Sequence, residues 1–98
     1  MNVSLLRDKA DLVSAILKAL ANEKRLEIMC ALLEGEKAVG ELEKIVGLSQ
    51  SALSQHLARL RRDGIVKTRR EAQTIYYSHH NPLVKKILYS LSVILNED

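Results

Sequence analysis

The sequence predicts a mainly α-helical domain spanning residues 1–98, with one small β-hairpin in its second half. Three observations predict this. Apolar residues recur at helical spacing through most of the chain. Asn22, Ser49 and Asn81-Pro82 stand where helices would start, and Gly35, Gly47 and Gly64 where they would stop. Two short runs rich in Ile, Val, Thr and Tyr, Ile65–Arg70 and Gln73–Ser78, break the helical period.

Taken in order, the first helix covers about residues 4–20, with Leu5, Leu6, Leu12, Val13, Ile16, Leu17 and Leu20 at helical spacing. Asn22 caps a second helix that runs from Glu23 to Glu34 and stops at Gly35. Its apolar positions are Leu26, Ile28, Met29, Leu32 and Leu33. A short third helix, Val39 to Val46, turns Leu42, Ile45 and Val46 inward and ends at Gly47. Ser49 caps a fourth helix whose buried stripe is Leu53, Leu57 and Leu60. Two antiparallel strands follow, joined around Glu71-Ala72. Because no Gly or Asn-Gly stands at that turn, a connection longer than two residues is expected. Of the adjacent Tyr76 and Tyr77, one should reach the core. The last helix, residues 82–96, carries Leu83, Val84, Ile87, Leu88, Leu91, Ile94 and Leu95 on a broad apolar face. A helix-turn-helix at about 39–63 followed by a hairpin at 65–78 is a winged helix-turn-helix with an extra helix at each end.

Composition narrows the function classes. The hydrophobic fraction is 47%, enough for a folded domain, and with three tyrosines as the only aromatics the core must be aliphatic. Cys30 is the single cysteine, so no internal disulfide can form. The polar start and the absence of any run of about 20 apolar residues lead us to expect a soluble, cytoplasmic protein without membrane partners. Residues 1–48 carry seven basic and eight acidic groups, whereas 49–98 carry eight and four. From Arg59 to Arg70 six basic residues stand against one acid, a concentration suited to a polyanion.

The fourth helix sharpens that reading. Away from its leucine stripe lie Ser51, Ser54, Gln55, Ala58, Arg59 and Arg62. Small hydroxyl and amide side chains do little for an exposed helix but suit the edges of DNA bases, and arginines suit phosphates. We therefore read it as a recognition helix. The two terminal helices are more apolar than a small monomer needs. Pairing two chains through Leu5, Leu6, Val13, Ile16, Leu17, Leu83, Ile87, Leu88, Leu91, Ile94 and Leu95 would cover them and present two recognition helices to a pseudo-palindromic site.

The segments Leu20–Met29, Val39–Leu42, Leu48–Leu57, Leu60–Val66 and Gln73–Tyr77 together resemble the ArsR family of bacterial transcriptional regulators, over about residues 12–95. Within it the chain most resembles the non-metal branch of nodulation, haemolysin and biofilm regulators. The resemblance implies a dimeric winged helix that binds double-stranded operator DNA, usually as a repressor released by an effector. Carried over by position, Gln50, Ser51, Ser54 and Gln55 face the major groove, Arg59 and Arg62 lie nearer the backbone, and Arg69, Arg70 and Gln73 fall at the wing. Ser49 is a helix cap first and a phosphate contact second. His56, beside the leucine stripe, is either a packing or capping residue or a DNA contact.

Metal-sensing members place a Cys-x-Cys pair near the third helix, where this chain has Ala38–Leu42 and no sulfur. Their other site lies between the terminal helices, and the matching positions here are Asn81, Leu83, Ile94 and Glu97. One carboxylate cannot build a tetrahedral zinc site, and the adjacent His79 and His80 point to opposite faces of a strand. No metal or cofactor is expected. Redox-sensing members carry one of two cysteines at the position of Cys30, but the partner in the last helix is missing here. Cys30 then reads as a small buried residue, with a redox- or sulfide-responsive role through this lone thiol as the alternative. A winged-helix protein-interaction module is a further alternative, which the basic stretch argues against. No nucleophile–base–acid spacing, phosphate loop or metal triad is visible, so an enzyme is not expected.

Overall fold

The computed structural model describes residues 1–97. The elements are α1 (Val3–Asp8), α2 (Ala10–Leu20), α3 (Glu23–Leu33), β1 (Lys37–Ala38), α4 (Val39–Val46), α5 (Gln50–Arg62), β2 (Val66–Glu71), β3 (Thr74–His79) and α6 (Pro82–Leu95). The fold is a winged helix-turn-helix, mainly helical with one small antiparallel sheet. No described helix is long and apolar enough to cross a membrane.

Most helix boundaries follow from side-chain caps. Asn22 Oδ1 accepts from the Arg25 N–H at 3.0 Å, Ser49 Oγ from Ala52 N–H at 3.2 Å, and Asn81 Oδ1 from Leu83 N–H at 2.9 Å. Gly47 (φ +67°) and Gly64 (φ +71°) close α4 and α5 in the left-handed conformation that glycine adopts without steric cost.

Four local features differ from expectation. The first helix is interrupted at Lys9 (φ −108°, ψ 20°). The ladder still runs through the interruption, since Lys9 N–H donates to Leu5 and its carbonyl accepts from Val13. Neither Pro nor Gly marks the spot, and α1 buries none of its residues. A third strand, β1, pairs Lys37 with Tyr77 and Ala38 with Tyr76, giving the sheet order β1-β3-β2. Two residues have no periodicity to read. The hairpin connection is only Ala72-Gln73, because Glu71 pairs with Thr74 and Ala72 takes φ +56° in place of a glycine. Finally, Ile45 is exposed, so α4 contributes only Leu42 and Val46 to the core.

The core is aliphatic. Ile28, Met29 and Leu32 of α3 meet Leu42 and Val46 of α4, the Leu53–Leu57–Leu60 stripe of α5, Ile65 and Val66 at the start of the wing, and Val84 of α6. Tyr77 packs against this cluster. Burying each such aliphatic side chain is worth about 1.5–3 kcal/mol relative to exposure. Three of the leucines belong to α5, so its polar face is held on a fixed base.

The terminal helices are less absorbed. Ile16, Ala19 and Leu20 seat α2 on the core and Val84 seats α6, with Ile87 and Leu88 partly covered. Leu5, Leu6, Leu17, Leu83, Leu91, Ile94 and Leu95 remain exposed, and Val13 is half-buried. Ile16 departs from its expected place on a dimer face. It is 5% exposed and is used within the protomer.

Candidate nucleic-acid interface

Once the leucine stripe faces inward, the opposite side of α5 is set by its period. Gln50, Ser51, Ser54 and Gln55 all lie exposed on it, and Ser49 sits exposed at its cap. The hairpin brings its tip to the same side. Gln50 and Ser54 of α5 line one cleft with Gln73 and Thr74 at the wing tip and with Val39 and Gly40 at the start of α4. Amide and hydroxyl groups from two elements thus converge on a surface open to solvent. Glu41 satisfies the first turn of α4 by accepting from Ala38 N–H at 2.9 Å.

The basic run that follows divides by position. Arg61 and Arg62 are exposed at the end of α5, with the Arg62 side chain 71% accessible. Arg59 is half-covered, its Nε shielded from solvent with no hydrogen-bond partner and 3.7 Å from Asp63 Oδ2. Asp63 also lies 3.4 Å from Arg62 Nε, so one carboxylate is shared between two arginines. In the wing, Lys67 and Arg70 are exposed.

Arg69 departs from the simple picture of a free wing cation. Its Nε and Nη2 donate to the two oxygens of Glu36 at 2.8 and 2.7 Å, and Nη1 donates to Glu71 at 2.8 Å. The guanidinium stacks on Tyr76, 4.4 Å from the ring centroid. The hydrogen bond from Arg69 holds the Glu36 carboxyl below its ordinary range, and the two carboxylates raise Arg69 in turn. Glu36 precedes β1, and no pattern in the sequence places it beside the wing.

Beneath α5 a second polar contact was not legible either. Arg25 of α3 is buried, its Nε donating to the Ala19 carbonyl and Nη2 to that of Lys18 at 3.3 Å. Its Nη1 lies 3.4 Å from His56 Nδ1. His56 is half-buried against this guanidinium. Burial first, and the Arg25 charge second, lower its pKa. The capping Asn22 was the visible signal, since it stands at the α2–α3 junction where Arg25 folds back.

Cys30 corrects an expectation. It is exposed, not buried, on the outer side of α3, in a shallow groove with Leu26, Glu27, Glu34 and Ile45. It is the one cysteine of the chain. Among the described residues no group of three or more His, Cys, Asp or Glu is placed to hold a metal.

Comparison with known proteins agrees with the architecture. Residues 22–68 match the family described as bacterial regulatory protein, arsR family. The chain is 51% identical to the transcriptional activator HlyU of Vibrio cholerae, over 90% of this chain and 82% of that one. It superposes on the crystal structure of the transcriptional repressor BigR from Xylella fastidiosa with a TM-score of 0.93 at 37% identity, covering all of both chains. A homodimeric winged helix-turn-helix DNA-binding domain from Mycobacterium bovis matches with a TM-score of 0.82 at 32% identity, over 93% of this chain and 84% of that one. With its wing, its helix-turn-helix and this degree of identity to known regulators, the chain belongs to the ArsR family of bacterial winged helix-turn-helix transcriptional regulators.

Proposed function

We propose that the protein is a homodimeric, sequence-specific DNA-binding regulator that represses transcription by occluding a promoter. The observation that carries this reading is the shared cleft of Gln50 and Ser54 with Gln73 and Thr74, in a chain that also exposes Arg61 and Arg62 at the end of α5 and Lys67 and Arg70 in the wing. Glutamine can pair with the adenine edge and serine with several bases, while the arginines take phosphates. The exposed apolar rows of α1, α2 and α6 support pairing of two chains, as does the homodimeric relative. Two copies related by a two-fold axis would place two α5 helices on successive major grooves.

Relatives include both an activator and a repressor. Repression is favoured because a dimer lying across a promoter blocks polymerase with no further contact. The test is transcription in vitro from templates carrying a site, selected by the protein from random DNA, either over or upstream of the promoter. A repressor lowers transcript from the overlapping template alone, and an activator raises it from the upstream one.

The exposure of Cys30 favours a second reading, in which oxidation or persulfidation of this thiol alters DNA binding. Replacing Cys30 by Ser then abolishes any response of binding to oxidant or persulfide. An identical response in the variant rules the thiol out.

A further inference from the structure

We propose that Glu36 is a positioning residue that withholds Arg69 from DNA phosphates, so that non-specific duplex is bound without this arginine. The inference rests on the DNA-binding reading above and goes beyond it in assigning a role to an acidic residue outside both the recognition helix and the hairpin.

The sheet builds the contact. Tyr76 of β3 lies between Ala38 of β1 and Arg69 of β2 in register. Glu36, two residues before Ala38, therefore reaches over the Tyr76 row to the strand on the far side. There it meets the guanidinium in a two-bond fork of 2.7 and 2.8 Å while the ring supports the other face. A forked arginine–carboxylate pair with a stacked ring is the geometry in which a partly exposed pair holds, whereas a single surface contact does not. Glu71 takes the third nitrogen. All three guanidinium nitrogens are thus committed inside the protein, although half of the side chain is exposed.

A phosphate can take the Nε/Nη2 fork only by displacing Glu36, and Glu71 on Nη1 encroaches on the end-on pair. Non-specific association depends on phosphate contacts and the counterions they release. The clasp subtracts one such contact, leaving Arg61, Arg62, Lys67 and Arg70 for the backbone.

The test is the salt dependence of binding to a scrambled duplex and to one selected by the protein from a random pool. The proteins compared are wild type, Glu36→Gln, Arg69→Gln and the double variant, with thermal melts to establish that each is folded. Glu36→Gln is expected to bind the scrambled duplex several-fold more tightly at low salt, with the log–log slope steeper by about 0.9. Arg69→Gln alone should leave the wild-type slope unchanged, and in the double variant it should cancel the gain. A clasp that merely braces the sheet would weaken binding without steepening the slope. Two results overturn the proposal: an unchanged or shallower slope in folded Glu36→Gln, or a slope lost in Arg69→Gln alone. Both leave the DNA-binding reading intact as long as wild type still prefers the selected duplex. A wild-type protein that binds neither duplex removes that reading and this inference together.

Discussion

Arg25 reaches across from α3 to His56 on α5, Nη1 to Nδ1 at 3.4 Å, while the same guanidinium holds the carbonyls of Lys18 and Ala19 at the end of α2. One buried cation thereby joins an outer helix, the α3 scaffold and α5. Its charge lies at the C-terminus of α2, where the helix dipole favours a cation. Of the two carbonyls there, that of Lys18 also accepts from the Ala21 N–H at 3.3 Å.

Replacing Arg25 by Met keeps much of the side-chain volume and removes every one of these bonds. Hydrogen bonds from a charged group are worth about 1.5–3 kcal/mol, and a loss of that order is expected in urea unfolding. Operator affinity should fall further than stability alone explains, because α5 loses a lateral support. A variant with wild-type stability would show that the contact contributes nothing.

Burial first, and the Arg25 charge second, lower the pKa of His56 below the ordinary histidine value, with Nδ1 3.4 Å from Arg25 Nη1. The unfolded chain binds a proton at His56 more readily than the folded one, and stability therefore rises with pH. The contribution is complete above the ordinary value of about 6.5 and is lost as pH falls below it. Arg25 is the charged group against this ring, and Arg59 and Asp63 lie around Arg25 in turn. Between about pH 5.5 and 7.5 the urea midpoint of wild type should decline on acidification and that of His56→Gln should decline less. Parallel profiles would remove His56 from the account.

Ala72 occupies the hairpin with φ +56°, a conformation that costs an L-residue about 1–2 kcal/mol. Glycine bears no such strain but loses more entropy on folding. Ala72→Gly is therefore expected to raise the unfolding midpoint by the equivalent of up to about 1 kcal/mol. A lowered midpoint would mean that the turn is relaxed as it stands.

Ile94 is 60% exposed in the protomer, on the outer part of α6. A charge there should cost the isolated protomer little, within about 0.5 kcal/mol. If α6 pairs two chains, Ile94→Glu should shift the sedimentation of the protein from dimer to monomer with its far-UV spectrum unchanged. A variant that remains a dimer would place the interface elsewhere.

Much of this was legible because periodicity reports which face is buried. The leucines of α5, the caps Asn22, Ser49 and Asn81, and the stops at Gly47 and Gly64 are all local signals. What escaped were contacts between residues far apart in sequence. Glu36 and Arg69 are 33 residues apart and meet only because β1, too short to show an alternation, joins the sheet. Arg25 is buried by packing against residues of other helices, which no local pattern in α3 reports. Cys30 and Ile45 each sat at a position that fits an apolar stripe, yet the described fold lays nothing over them. The two-residue turn was missed because alanine is a poor choice for positive φ, and the paired strands impose it all the same.

In the proposed complex α5 reads bases while the arginines hold the backbone. The most direct measurement is fluorescence-anisotropy binding of Gln55→Ala and Arg62→Ala to a selected operator and to single-base variants of it, across a salt series. Gln55→Ala should lose about 1–3 kcal/mol of discrimination at one base pair and keep the wild-type salt slope. Arg62→Ala should weaken binding to every duplex alike and reduce the slope by about 0.9. Equal losses for Gln55→Ala on operator and scrambled DNA would contradict base reading by α5.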